Sequence, residues 1–576
     1  MRIRKVNTKN TVQYAIIQDI TKNGKRTTKV YDNIGNYEKL KLRAGDKEPL
    51  EWLNNYVKEL NEKSKTNQLP IIIKKYENKQ IKKDEQLLFN GGYLFLQQIY
   101  YGLGLDKICE KIENKYRFKY NLNSILSNLI YGRILYPASK FKTKELCKKF
   151  LEQPCIEYNH ILRGLEVISK ESDFIQSKLY NNSDKYMKRN NKILYYDCTN
   201  FFFEIEEEDD LRKYGKSKEN RPNPIVQMGL FMDGDGIPLS FDITPGNTNE
   251  QVTLKPLEKK IIDEFNMSNL VVCTDAGLAS IANRKFNSTN LRKFITTQSI
   301  KKLKEHLRIE AIDLSKGWKL PGIEKTFDIS KLRTDQKLME QFKNKTFYKE
   351  RWINENGLEQ RLIITFSVKY QEYQRHIRNR QIDRAIKIIE KNPKKIGKAK
   401  QNDPKRFIAI TNTTSNGEVA QETYYSINNN VIEEEAKYDG LYAVCTNLED
   451  SVEDIIKVNH RRWEIEESFR IMKNEFKSRP VHLSREDRIK AHFITCFLSL
   501  VIYRFLEKKT DEKYTVSELL ETLRNMYFYK EKNVGYIPAY IRTDITDLLH
   551  EKFGFRTDYE IITEKNFEKI LKQTKK

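Results

Sequence analysis

The sequence predicts an α/β chain whose centre is a mixed sheet carrying two buried carboxylates, and three observations predict it. Ile193 to Asn200, Ile-Leu-Tyr-Tyr-Asp-Cys-Thr-Asn, sets one acid, Asp197, inside an apolar and aromatic run. Leu270 to Thr274, Leu-Val-Val-Cys-Thr, is a second short apolar run and delivers Asp275 at its end. From Lys192 onward the order of patterns is strand, strand, strand, helix, strand. A carboxylate in such surroundings is costly unless something pairs with it. The two runs are therefore expected side by side at the centre of one sheet, with a cation between the acids.

Composition sets the frame for the rest. A chain of 576 residues, 39% of them hydrophobic, buries a sizeable core and divides into several domains. With 104 Lys and Arg against 80 Asp and Glu, the net charge is +24, and the excess is spread along most of the chain. Nucleic acid is the default partner for such a polycation. Seven scattered cysteines without a CxxC pair predict reduced thiols in a cytosolic compartment, and the seven histidines form no spaced zinc set. The N-terminus, Met-Arg-Ile-Arg-Lys-Val-Asn, lacks the apolar core of a signal peptide. Ala491 to Phe505 is the longest apolar run, but His492, Thr495, Ser499 and Arg504 interrupt it. It falls short of the roughly 20 residues a bilayer span needs and reads as a buried helix, so no membrane is expected.

The elements follow in order. Val12 to Ile17 and Thr27 to Tyr31 read as strands around the turn Lys22-Asn23-Gly24-Lys25. Helical spacing then covers Leu50 to Ser64, Gly91 to Tyr101 and Leu122 to Ile134, closed by Tyr136-Pro137. Residues 1–188 are thus expected to form a DNA-binding region, a hairpin followed by a helical bundle with a basic cluster at Lys140, Lys142, Lys144, Lys148 and Lys149. Residues 189–299 hold the strands: Ile193 to Phe203, then Pro224 to Met232 and Ile237 to Ile243 joined by Asp233-Gly234-Asp235-Gly236, then the helix Glu250 to Phe265 and the strand Leu270 to Asp275. An antiparallel meander followed by a helical crossover to a parallel strand opens a ribonuclease-H-like fold, in which the first and fourth strands are neighbours.

The helices that would finish this core are delayed. Residues 300–445 mix short strands, Thr346 to Tyr348 and Leu362 to Ser367, with a long basic helix, Gln371 to Lys400, and read as a mixed α+β insertion. The core resumes over 446–506 with a helix that Ser451-Val-Glu-Asp454 opens as a capping-box variant and that ends before Pro480. A helical C-terminal region, 507–576, follows. No internal repeat is visible.

The resumed helix contains three glutamates. Ile465, Phe469, Met472 and Phe476 form its apolar stripe, Glu467 points to solvent, and Glu464 and Glu466 lie on opposite borders. Arg462, Glu466 and Lys473 fall within roughly 40° of one another on one border. That favours Glu466 only slightly, and a salt-bridged helix face explains the border equally well. Two strand aspartates with one helix glutamate are the hard oxygen ligands that Mg²⁺ or Mn²⁺ prefers, two ions at a time. Such a pair of ions activates a water or a 3′-hydroxyl and stabilises the leaving oxygen in phosphoryl transfer.

Tyr-Asp-Cys-Thr-Asn, Thr-Asp-Ala-Gly and Arg-Trp-Glu-Ile-Glu-Glu-Ser-Phe-Arg-Ile-Met-Lys together resemble the three catalytic blocks of the DDE transposases of bacterial insertion sequences, in the insertion-sequence-four superfamily. The family's third block has Tyr, two residues, Arg, three residues, Glu, six residues, Lys. Arg462, Glu466 and Lys473 fit it, which selects Glu466, while Asn459 stands at the tyrosine position. Tyr214-Gly215-Lys216-Ser217-Lys218 with Arg221, Pro245-Gly246-Asn247-Thr248, Tyr438-Asp439-Gly440, Arg488 to His492 and Pro137-Ala-Ser-Lys140 are similar as well.

The resemblance implies metal-dependent DNA cleavage and strand transfer at inverted terminal repeats, at least a homodimer on paired ends, and a bacterial cytoplasmic setting. It makes Asp197, Asp275 and Glu466 the catalytic metal ligands, and Arg462, Lys473, Lys216, Lys218 and Arg221 contacts to double-stranded DNA. Without the tyrosine, Trp463, or else Trp318 or Trp352, is expected to stack any displaced base.

Other readings fit less well. Cys198 faces away from Asp197 on its strand, and Cys273 has no second thiol or histidine to complete a zinc site. Gly215-Lys216-Ser217 lacks the glycine five positions earlier that a phosphate-binding loop needs, so no ATP is expected. A nuclease that cuts without joining, or a catalytically silent DNA-binding relative, would share these features.

Overall fold

The apolar runs that begin at Ile193 pair into one sheet of ten strands among the described residues. They are β1 Ile193–Phe202, β2 Ile225–Asp233, β3 Pro238–Pro245, β4 Val271–Thr274, β5 Lys293–Thr297, β6 Trp318–Leu320, β7 Ile323–Phe327, β8 Thr346–Glu355, β9 Leu358–Ser367 and β10 Leu441–Thr446. The computed structural model describes all residues except 9, 10, 23, 24, 66–70, 72, 74, 76, 392–401 and 414–421. Across the sheet the order is β7-β6-β8-β9-β10-β5-β4-β1-β2-β3. β2 is antiparallel to β1 and to β3, whereas β4 is parallel to both β1 and β5. The two aspartate-bearing strands are therefore neighbours near the middle.

Five helices matter for the site: α1 Glu250–Phe265, α2 Val368–Lys391, α3 Val452–His460, α4 Trp463–Arg470 and α5 Glu486–Lys509. The period-two alternation of β1 divides its side chains between the two faces. Leu194, Tyr196 and Cys198 pack with Leu254, Leu257 and Ile261 of α1. Tyr195, Asp197 and Phe201 have the other parity and face α3 to α5: the Tyr195 hydroxyl donates to the Val458 carbonyl at 3.0 Å, and the Phe201 ring lies 4.8 Å from that of Phe493.

By length and composition alone α5 could cross a membrane, yet 94% of its apolar window is buried inside the protein. Phe497 meets Phe241 of β3 at 4.8 Å on one side. The helices Leu122–Leu135 and Tyr158–Lys170 pack against α5 on another. That packing shifts an expected boundary. One compact unit comprises residues 90–527, 540–557 and 570–576, so the helices up to 188 belong with the sheet instead of standing apart with the N-terminal hairpin. A helix apolar on all sides has to be covered on all sides, and residues 90–188 help to cover it.

The other unit comprises residues 1–89, 528–539 and 558–569. Its hairpin strands, Val12–Lys22 and Lys25–Asn36, are longer than expected and gain a third strand, Arg2–Asn7, whose charged side chains hide its alternation. The turn residues Asn23 and Gly24 lie outside the described residues. The C-terminal region is not purely helical either: Tyr527–Glu531, Gly535–Pro538 and Ile562–Thr563 are strands of a small sheet that also takes in Leu88–Asn90.

Residues 300–445 continue the main sheet. β10 pairs antiparallel with β5 on one side and with β9 on the other. Trp318, Phe347, Leu362 and Phe366 share a core with Phe294 of β5 and Leu441 of β10. The cause is β9: its residues from Gln360 to Phe366 are all buried, as in a strand covered on both faces, and such a strand needs neighbours on both edges. β8 and β9 are ten residues each, joined through Asn356 and Gly357, both at positive φ, so the short strands read from the sequence are halves of one long hairpin.

Candidate active site

In the parallel pair β1 and β4, Tyr196 stands opposite Thr274, and one step further along that register are Asp197 and Asp275. Neighbouring strands lie about 4.8 Å apart, so the two acids emerge together on one face. It is the face of α3 and α4, because Cys273, two residues before Asp275, bonds Asn459 of α3 through sulfur at 3.7 Å. Cys198 is on the α1 side, with its sulfur 3.4 Å from the Thr253 hydroxyl. Burial pushes the Cys198 thiol up to about 11 and that of Cys273 to about 12, which leaves both protonated and unreactive.

Asp197 is 9% exposed and accepts the backbone N–H of Cys198 at 2.7 Å. Burial pushes its carboxyl up to about 6; Lys218 pulls it down, and Asp275 pushes it further up. Asp275 is less buried and caps the next turn by accepting from Leu278 N–H at 3.0 Å. A buried carboxylate facing a second one needs added positive charge.

The third acid arrives by a broken helix. α3 ends at His460 and α4 begins at Trp463, so the continuous helix expected up to Lys477 is interrupted at Arg461 and Arg462. Arg462, at the start of α4, reaches one turn on to Glu466, Nη1 to Oε1 at 3.1 Å. Burial works against its charge, but Glu466, then Tyr442, Asp197 and Asp275, outweigh burial and raise its pKa. One guanidinium is thus within electrostatic reach of all three acids.

The other two glutamates do not share this place. Glu464 is held by Arg461 at 2.8 Å and lies against Gly236, where an added Cβ would sit 2.2 Å from its Oε2. Glu467 does not point to solvent as expected: its side chain is 20% exposed and pairs with Arg470 at 2.9 Å. Glu466, at 59%, is the exposed one. The helical wheel therefore misplaces Glu467, which is the covered side chain, while Glu466 is the accessible one.

The basic segment 214–221 is fixed by backbone contacts. Gly215 and Gly246 approach so closely that a Cβ on Gly215 would lie 2.1 Å from the Gly246 carbonyl oxygen, and neither position tolerates a larger side chain. Asn200, at the far end of β1, donates to the Lys216 carbonyl and accepts from the Lys218 N–H, both at 3.0 Å. Lys218 itself donates to the Cys198 carbonyl and pairs with Glu250 at 3.1 Å. Burial opposes its charge, but Asp197 and Glu250 prevail and raise its pKa. Arg221 stacks on Phe202 at 5.1 Å, and Lys216 is exposed.

After α4 the chain widens into a π-helical turn, Ile471–Glu475, with Phe476 N–H bonded to Ile471 C=O at 3.0 Å. Lys473 pairs there with Glu219 at 3.1 Å and lies over the Phe201 ring at 5.2 Å, while Arg479 takes the other oxygen of Glu219 at 3.0 Å. Glu219 and Arg479 were not among the residues the sequence singled out. The available signal was that Glu219 is the one acid between Tyr214 and Arg221.

The tryptophans stand elsewhere. Trp463 is half exposed at a cavity of about 600 Å³ that it shares with Gly236, Glu464 and Glu467 and that neither Asp197 nor Asp275 lines. Trp318 is fully buried and donates its indole N–H to the Asp313 carbonyl at 3.0 Å, so it has no free face for stacking. Trp352 is 47% exposed on β8. Asn459, at the position of the missing tyrosine, is buried and donates to the Tyr442 hydroxyl at 2.9 Å, which brings a tyrosine beside Arg462 from β10 instead.

Residues 360–502 match the family model described as the transposase DDE domain. The matched segment includes Arg462, Glu466 and Lys473, and it lies C-terminal to both aspartates. Among solved structures, a piggyBac transposase synaptic complex with hairpin DNA aligns over 84% of this chain and 84% of that chain, at 7% identity and a TM-score of 0.34. A Mos1 transposase paired-end complex with the left transposon end aligns over 42% of this chain and 64% of that chain, at 10% identity and a TM-score of 0.13. Scores this low do not establish a shared fold. No curated protein matches the chain. The domain match assigns DNA transposition, a divalent-metal-dependent cleavage and transfer of DNA strands, as the activity.

Proposed function

We propose that this chain cleaves and joins DNA at the terminal inverted repeats of a bacterial insertion-sequence element, with Mg²⁺ or Mn²⁺ held by Asp197, Asp275 and Glu466. The observation that carries this reading is the in-register emergence of Asp197 and Asp275 from adjacent parallel strands, facing the helix from which Arg462 contacts Glu466. The strand order 3-2-1-4-5 over β1 to β5 supports a ribonuclease-H-like core, with the remaining five strands added at its β5 edge.

The donors fit a hard divalent ion: all are carboxylates, and Asp197 is buried against a second acid. Bound there, such ions supply Lewis acidity at the attacking and leaving oxygens of the phosphodiester. The protein's own groups do the rest. Arg462, which pairs with Glu466 at 3.1 Å, would present a planar fork to a terminal phosphate. Lys218 and Lys473 add point charges beside it. The Phe201 ring lies under Lys473 and the Phe202 ring under Arg221 and Arg479, which holds those cations against the end of β1. The working assembly in this reading is at least a dimer on two DNA ends, acting in the cytoplasm, since both ends of one element must be joined together.

The test is cleavage and joining of DNA that carries the flanking repeats, with Asp197→Asn, Asp275→Asn and Glu466→Gln. Metal-site stabilisation is worth several kcal/mol, so at 1.4 kcal/mol per tenfold each variant should lose roughly a thousandfold in cleavage while still binding DNA. Wild-type cleavage by any of the three would remove that residue from the site. Cut but never joined product would identify a nuclease, and binding alone a silent relative.

A further inference from the structure

A second cluster of cations lies at a cavity of about 520 Å³ between the segment 133–141 and the segment 477–492. Arg133, Lys140, Lys477, Arg479, His482 and His492 are among its lining residues, and no Asp or Glu lines it. Lys140 is 5% exposed, and its Nζ has no hydrogen-bond partner among the described residues. Arg133, also 5% exposed, spends its terminal nitrogens on the carbonyls of Phe476, Lys477 and Ala138, at 3.1 to 3.2 Å, and keeps an unpartnered Nε. The Nε of Arg479 and the hydroxyl of buried Ser478 are likewise without partners.

Burying one unpaired ammonium is unfavourable, and burying it beside a guanidinium and two imidazoles is more so. Burial, aided by Arg133, pushes Lys140 down to about 7. His492, which meets the Ser478 carbonyl through Nε2 at 2.9 Å, is held well below its usual value by burial, Lys140 and Arg133. Such an arrangement in a cavity favours an anion.

We propose that this cavity is a phosphate-binding site, with Lys140 as its principal ligand and Arg479 at its rim. Phosphate matches the donors: it offers several acceptor oxygens to Lys and Arg and carries the negative charge the cavity lacks. The volume also admits the sugar attached to a phosphodiester. Arg479 connects the cavity to the face of the aspartates, since its Nη2 holds Glu219, which also holds Lys473. A strand leaving the aspartates along Lys473 would therefore reach the cavity with its backbone. The DNA source of the phosphate rests on the function proposed above; the phosphate site itself does not.

The test uses the full chain. Melting is measured in millimolar inorganic phosphate and in chloride of equal ionic strength, for the wild type, Lys140→Met and Lys140→Gln. The salt dependence of binding to a duplex is measured alongside. Phosphate should raise the wild-type melting temperature and leave both variants unmoved. If the ligand is a DNA phosphate, the log–log salt slope of the variants falls by about one ion; an unchanged slope with a lost phosphate shift assigns the site to a small phosphorylated molecule. A wild type that phosphate does not stabilise beyond chloride, or variants that keep both the shift and the slope, would overturn the proposal. Asp197→Asn should keep the phosphate shift, so failure of the catalytic reading and failure of this one are told apart.

Discussion

Cations gather at two places around the ten-stranded sheet and are held in different ways. Beside the aspartates three cations each have a carboxylate: Lys218 has Glu250, Arg462 has Glu466, Lys473 has Glu219. In the cavity of Lys140 and Arg133 no acid lines the wall, and of its cations Arg479, at the rim, has one, Glu219. The difference lies in what each region does before a polyanion arrives. Paired cations are positioned in advance and can exchange one acid for another, whereas unpaired ones cost the fold stability until a ligand relieves them.

The largest effect should come from the unpaired region, through pH. The folded-state pKa of Lys140, about 7, lies below the roughly 10.4 of an unfolded chain. The unfolded chain thus holds the proton more tightly: the penalty is full below pH 7 and fades as pH rises towards 10. In phosphate-free buffer the wild type should gain stability over that window by on the order of a few kcal/mol. Lys140→Met should lack this gain and start out more stable at pH 7. Denaturant titrations at several pH values check it, and equal curves for the two proteins would break the contrast.

The paired region should respond in chemistry instead. Arg462→Ala should slow end cleavage roughly 10- to 100-fold, the value of one or two charged hydrogen bonds, with a smaller loss of overall binding. Arg462→Lys should be impaired too, because an ammonium cannot replace the fork; a silent Arg462→Lys in a single-turnover cleavage assay would reduce Arg462 to a salt-bridge partner. Glu219→Gln should do less, roughly 1 kcal/mol or about fivefold in kcat, while tightening DNA binding, since two cations lose their shared acid. A KM that rises instead would mean that Glu219 itself supports binding. Trp463→Ala should leave cleavage near the wild-type rate, because the ring lies with Glu464 and Glu467 at another cavity.

The sequence showed most where local pattern and tertiary need coincide. Ile193 to Asn200 and Leu270 to Asp275 are apolar because they are central strands, and their acids stand out for the same reason. The choice of Glu466 needed the family pattern, since helical spacing cannot foresee a break at Arg461 and Arg462 or a π turn at Ile471. The basic stretch beyond Lys391, with Lys394, Lys395, Lys398 and Lys400, lies outside the described residues. Within α2, Arg378 is not a free DNA contact: both its terminal nitrogens meet Asp439 at 2.6 Å. Asn356-Gly357 was a legible hairpin signal, and weighing it would have extended both strands to their observed lengths. Lys140 gave no warning, because a lysine among lysines reads as surface and only packing shows that this one is enclosed.

The unbroken run of hydrogen bonds from β5 through β10 to β9 also bears on shortened versions of this chain. Excising residues 300–440 would not release a self-contained module. It would leave β10, five of whose six side chains are buried, as a bare rim of unsatisfied backbone donors and acceptors. A rim of that kind recruits other strands, so the internally deleted polypeptide should accumulate as insoluble aggregate. Competition with the intact chain for DNA ends, through a soluble remnant with its aspartates still in place, is therefore not a role such a deletion could take.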